Sequence, residues 1–88
     1  MLKPVYLRSF EREIAKAKKR GLDMSKVKDL IEDLINEKPL AAKHKNHKLK
    51  GNFIGYWECH IEPDWLLVYK KDDKCIYFAR TGTHSDLF

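Results

Sequence analysis

Tyr56-Trp57-Glu58-Cys59-His60-Ile61 is the stretch on which the fold turns. Trp57, Cys59 and Ile61 share one side of it, and Tyr56, Glu58 and His60 share the other. That is the period-two pattern of a β-strand with one face on a core. Pro63-Asp64 breaks the strand, and Trp65 to Tyr69 follows as a near-continuous apolar run, as expected of a central strand. Lys71-Asp72-Asp73-Lys74 reads as a turn and Cys75 to Arg80 as a further strand. The segment Thr81 to Phe88 is a short tail ending in an aromatic residue.

Upstream of Asn52 the period is helical. Ser9 is placed as an N-cap, and Phe10, Ile14 and Ala17 follow at helical spacing. Glu11 and Glu13 lie in the first turn and Lys16, Lys18, Lys19 and Arg20 in the last, an order that suits the helix dipole. Gly21 is a natural terminator. Val27, Leu30, Ile31, Leu34 and Ile35 form a second apolar stripe, with Asp23 or Ser25 to cap it and Pro39 to stop it. The short connection between the two predicts an antiparallel helical hairpin. Residues 2–7 predict a short strand, and Pro4, lacking an N–H, puts it at an edge or delays its start. Ala41 to Lys50 reads as a polar, basic loop closed by Gly51.

The order β-α-α-β-β-β predicts an α+β fold, a small antiparallel sheet with an N-terminal helical hairpin packed on one face. Its 88 residues make one domain, 1–88, and exclude a two-domain enzyme or a long solenoid. At 43% hydrophobic the chain can build a small core. No apolar run approaches the roughly 20 residues of a membrane span, and Met-Leu-Lys-Pro-Val at the start is not a signal peptide. Cys59 and Cys75 are too few for a disulfide scaffold and read as buried small residues, neighbours across the sheet. The expected location is cytoplasmic, with no membrane partner.

Lys and Arg number 18 against 13 Asp and Glu, a net charge of +5, which points to a polyanionic partner, nucleic acid or an acidic protein. With helices on one face of the sheet, the other is free to hold a site. His47, His60, Asp64, Arg80 and His84 all lie next to turns in the second half of the chain. Together they are the set a metal-free ribonuclease needs. One group takes the proton of a ribose 2′-OH, a second protonates the leaving 5′-oxygen, and a guanidinium stabilises charge on the phosphate. Each also has a plain structural role open to it: a satisfied strand histidine at His60, a turn residue at Asp64, an ion-pair partner at Arg80. Simple alternation puts Arg80 on the side of Ile76 and Phe78 unless the strand twists or ends there. His44 reads as a solvated loop residue. Lys43, Lys45, Lys48 and Lys50, with the cluster from Lys16 to Arg20, form a phosphate-tracking surface, and Trp65 and Phe88 can stack on unpaired bases. No CxxC or HExxH spacing occurs, so neither a metal nor another cofactor is expected.

These same residues carry a resemblance that covers essentially the whole chain. The ordered set His47-Lys48-Leu49-Lys50-Gly51, Cys59-His60-Ile61-Glu62-Pro63-Asp64-Trp65 and Arg80-Thr81-Gly82-Thr83-His84-Ser85-Asp86-Leu87-Phe88 resembles the YafQ-type branch of the RelE toxin family. The resemblance implies a type II toxin–antitoxin toxin, a ribosome-dependent mRNA interferase that cuts message in the A site of the small ribosomal subunit and so stops translation. It implies an acidic cognate antitoxin as partner, with operator DNA bound only through the antitoxin complex. It further implies that His47, His60, Asp64 and His84 form the acid–base group, with His84 the proton donor and Asp64 or His60 the base. Arg80 then stabilises the phosphate, while Trp65, Phe88, Lys48 and Lys50 hold substrate. The alternative is a non-catalytic, ParE-like or attenuated toxin that acts as a binding or repressor partner. The chain departs from the family at Trp57, where relatives often carry an arginine; by parity with Cys59 and Ile61, a tryptophan there enlarges the core.

Overall fold

A computed structural model describes residues 1–88 and contains a five-stranded sheet in the order β1-β5-β4-β3-β2. In chain order the elements are β1 (Lys3–Tyr6), α1 (Arg8–Lys19), α2 (Met24–Ile35), β2 (His47–Lys48), β3 (Trp57–Glu62), β4 (Trp65–Lys71), β5 (Cys75–Gly82) and α3 (His84–Leu87). Single 3₁₀ turns at Ala42–His44 and Gly51–Phe53 flank β2. The apolar run Trp65 to Tyr69 is buried throughout and lies between β3 and β5, as a central strand must.

The sheet is mixed rather than wholly antiparallel. Neighbours from β2 to β5 pair antiparallel, but β1 joins the far edge parallel to β5, Val5 opposite Tyr77. An alternating pattern specifies which face of a strand is buried and says nothing about its partner. Partner choice here depends on α1 and α2 carrying the chain away from β1 before any other strand forms.

Both helices lie on one face. Phe10 and Ala17 of α1 and Val27, Leu30 and Leu34 of α2 share a core with Cys59, Ile61, Leu67, Tyr69, Ile76 and Phe78. Trp57 packs against this core, its ring stacked on Tyr69 at 6.5 Å. On the opposite face Leu66, Val68 and Leu87 form a smaller cluster, so α3 covers part of that face.

Several local expectations change. Leu7, not Ser9, occupies the N-cap of α1, and it provides no side-chain cap. Asp23 does cap α2, accepting from Ser25 N–H at 2.9 Å. The loop before Gly51 contains the edge strand β2, and the tail contains α3. A capping box starts α3: Thr83 Oγ accepts from Asp86 N–H, and the Asp86 carboxylate accepts from Thr83 N–H. The cysteines are not neighbours, because β4 separates their strands. Desolvation pushes the Cys59 thiol up to about 12, so it is an inert core group, while Cys75 is only half-buried. No helix is long and apolar enough to cross a membrane.

Between β4 and β5 the register shifts by one residue. Tyr69 pairs with Phe78 and Val68 with Arg80, leaving Ala79 as an extra residue, a β-bulge. The alternation restarts past it. Thr81 takes the helix-covered side opposite Leu67, where its hydroxyl accepts from Trp65 Nε1–H at 3.0 Å and donates to Leu66 O at 2.7 Å. Arg80 thereby moves to the open face, opposite Val68. Its expected place beside Ile76 and Phe78 is overturned by this bulge.

Candidate active site

Two cross-strand rows on the open face set out the site. One runs Arg80–Val68–Glu58–His47 across β5, β4, β3 and β2, and the next runs Gly82–Leu66–His60. Residues paired across strands project to the same side of a sheet, so His47, Glu58 and His60 stand together, away from the helices.

Glu58 is at the centre, although it is not among the residues the sequence singles out. Its side chain is 7% exposed, with Oε2 3.4 Å from His47 Nε2 and Oε1 3.8 Å from His60 Nε2. The signal for it was present: a carboxylate two positions before a histidine, on one face of a strand. A buried carboxylate without close donors is costly unless cations or acids face it, and here two imidazoles do.

Backbone carbonyls fix the tautomers of those imidazoles. His47 Nδ1–H donates to Lys45 O at 2.6 Å and His60 Nδ1–H to Pro63 O at 3.2 Å. A carbonyl can only accept, so Nδ1 carries the proton and Nε2 is left to give or take one. His84 is held the same way by a carboxylate. Its Nδ1 lies 2.7 Å and its backbone nitrogen 3.0 Å from Asp64 Oδ1. The backbone N–H bond first, and then the ring N–H bond, hold the Asp64 carboxyl below its usual range. The rings of His60 and His84 are 5.7 Å apart, centre to centre.

Gly82 makes that approach feasible. Its φ is +158°, and a Cβ there would sit 2.9 Å from Asp86 Cβ, so a side chain at this position would push α3 off the sheet. Leu87 then anchors α3 on Leu66 and Val68, and Arg20 of α1 reaches Asp86 at 3.1 Å.

The structure thus brings His47, His60 and His84 together around Glu58, with Asp64 joined to the group through His84. Arg80 is not in contact with them; it stands at the far end of the first row, two strand spacings or about 10 Å from Glu58. Its guanidinium is paired with the Glu13 carboxylate through Nε at 2.8 Å and Nη2 at 2.9 Å. Phe88 is 58% exposed, set edge-on to Phe53, and Lys50 is exposed.

Three expectations are corrected. Trp65 is 2% exposed and belongs to the helix-side core, so its ring offers no stacking face. Lys48 pairs with Trp57 and lies over its ring, on the opposite side of the sheet from His47. His44 is half-buried, not solvated, and its Nδ1–H donates to His60 O at 2.6 Å. No single residue type signals these placements; strand parity, once the register is known, accounts for Lys48.

Glu58, His60 and His84 also place three potential ligand atoms within 4.8 Å of one another. Two imidazoles with tied Nδ1 atoms and one carboxylate suit a borderline divalent ion such as zinc or copper.

Residues 2–88 match a family model described as a bacterial toxin of type II toxin–antitoxin system, YafQ. The mRNA interferase toxin YafQ of Escherichia coli K12 is 46% identical over 84 residues, spanning 94% of this chain and 91% of that one. The crystal structure of the E. coli DinJ–YafQ toxin–antitoxin complex matches with a TM-score of 0.92 at 44% identity, over 99% of this chain and 97% of that one. A metal-bound toxin from Helicobacter pylori matches with a TM-score of 0.94 at 36% identity, over the whole of both chains.

Proposed function

The chain belongs to the YafQ family of bacterial type II toxin–antitoxin toxins, and we propose that it is an mRNA interferase that cuts message on the ribosome by metal-independent acid–base catalysis. The observation that carries this reading is the set of three histidines with Nδ1 tied and Nε2 free, gathered about Glu58 and Asp64.

In the proposed reaction His60, backed by Glu58, accepts the proton of the ribose 2′-OH. The 2′-oxygen attacks phosphorus, the P–O5′ bond breaks, and His84 donates its proton to the departing 5′-oxygen. The products are a cyclic 2′,3′-phosphate and a 5′-OH. Asp64, already accepting two bonds from His84, orients the donor. Arg80 binds the phosphate oxygens with its unpaired Nη donors as charge builds. Phe88 stacks on a base, and Lys50 contacts backbone phosphate.

The net charge of +5 suits both ribosome-bound message and an acidic antitoxin, and the DinJ–YafQ structure is of a toxin–antitoxin complex. We place the protein in the cytoplasm, where message is translated. Operator DNA is bound only through the antitoxin complex. A divalent ion on Glu58, His60 and His84 would occupy the lone pairs that carry protons, so zinc slows cutting and a chelator leaves it unchanged.

The test is a primer-extension map of mRNA after brief induction of the wild type and of His84→Ala. In-frame cuts that vanish in the variant, a loss of about 10²–10⁴-fold in rate for a general acid, support the reading. Growth arrest without cuts overturns it in favour of a non-catalytic toxin.

A further inference from the structure

Past Phe78 the outer edge of β5 has no strand beside it. The last bond there runs from Leu7 N–H to Phe78 O at 3.0 Å, and β1 has already ended at Tyr6. Two side chains of α1 take over. Ser9 Oγ–H donates to Ala79 O at 2.6 Å, and Glu13 Oε1 accepts from Thr81 N–H at 3.3 Å. Ser9 and Glu13 are one helical turn apart, so both face the sheet edge and bracket the bulge at Ala79. Between these two anchors Glu13 also takes Arg80 side-on, through Nε and Nη2.

A guanidinium has five N–H donors, and this pairing uses two of them. Both Nη1–H groups and the second Nη2–H remain, and they form the end-on fork that fits two oxygens of a phosphate. Glu13 therefore does not compete with such a ligand. It removes the rotamer freedom a long side chain would otherwise lose on binding. The pair is only part-exposed, with side-chain exposures of 33% for Arg80 and 20% for Glu13.

We propose that Ser9 and Glu13 are positioning residues for Arg80: α1 stands in for the missing edge strand, holds the bulge, and fixes the guanidinium at the sheet edge with its other N–H donors left for a phosphate. This rests on Arg80 being the group that meets the scissile phosphate.

Glu13→Gln keeps the shape of the side chain but accepts only one of the two Arg80 bonds. Two measurements test the proposal. In the NMR spectrum of the free toxin, the Arg80 Nε–H signal is expected to be sharp and slow to exchange with water, and to lose both properties in Glu13→Gln and in Ser9→Ala. In cleavage of ribosome-bound message, Glu13→Gln is expected to lower kcat tenfold or more with KM within twofold, because the charge Arg80 meets builds in the transition state. The double variant Glu13→Gln/Arg80→Ala should then be no slower than Arg80→Ala alone.

A Glu13→Gln protein that cuts at the wild-type rate overturns the proposal, as does a double variant slower than Arg80→Ala. If the wild type cuts but its Arg80 signal ignores Glu13, the clamp falls and the nuclease reading stands. If the signal depends on Glu13 but the wild type cuts nothing, the nuclease reading falls and takes the catalytic purpose of the clamp with it.

Discussion

Asp64 and Glu58 are two carboxylates only one strand turn apart, yet their surroundings give them different tasks. Glu58 is buried and faces the Nε2 atoms of His47 and His60, which the proposed reaction uses. Asp64 is exposed and accepts twice from His84, so it holds a partner in place. Its folded-state pKa is lowered from the ordinary 3.8. The sign follows from that direction: the docking of His84 on Asp64 is fully stabilised above pH 4 or so and is lost as pH falls through the lowered value. An NMR titration of the His84 backbone amide should therefore show a carboxylate transition below 3.8 in the wild type and none in Asp64→Asn. A transition at the ordinary value would show that the pair does not form in solution.

Among the elements, β3 divides its side chains most sharply. Glu58 and His60 serve the open face, while Trp57 stacks on Tyr69 at the helix side. An arginine at position 57 would therefore not enter the cluster around Glu58. Trp57→Arg is expected to leave the cleavage map unchanged and to lower the melting temperature, since it replaces a half-buried ring with a charge beside the core. Its cost falls in the common range for such changes, about 1–3 kcal/mol, measurable by urea unfolding. A gain in cleavage would mean that Trp57 attenuates the toxin after all. The β4–β5 pair shows how much one residue can shift: the bulge at Ala79 exchanges Arg80 and Thr81 between faces.

Taken whole, the molecule is a basic body with a small site on its uncovered face, and the partners proposed for it are polyanions. Binding to RNA should weaken steeply with salt, as log K falls linearly with log salt concentration by about 0.7 for each phosphate contacted on a single strand. Lys50→Ala should lower that slope by about 0.7, one contact on the same scale, without altering where the message is cut. A flat salt dependence, measured by anisotropy with a labelled oligonucleotide, would remove phosphate tracking from the account.

Much of this was legible in the order of the residues. The helical stripes of α1 and α2, the alternation of β3 and the apolar run of β4 each follow from a local period, because burial selects one face of an element whatever its neighbours. His47, His60, Asp64, Arg80 and His84 stood out as chemistry-bearing residues beside turns, but alternation placed Arg80 with Ile76 and Phe78, and only the bulge at Ala79 put it on the open face. The Thr83–Asp86 capping box that starts α3 was not among the readings of the sequence, which took Thr81 to Phe88 as a tail. What the tertiary structure decided was partnership. It paired β1 with β5 in parallel, withdrew Trp65 into the core, moved Lys48 to the far face, gave His84 to Asp64 and Arg80 to Glu13, and made Glu58 the centre. Each of these depends on register between segments distant in sequence, and register is set by the packing of the whole sheet, which no single stretch of sequence contains.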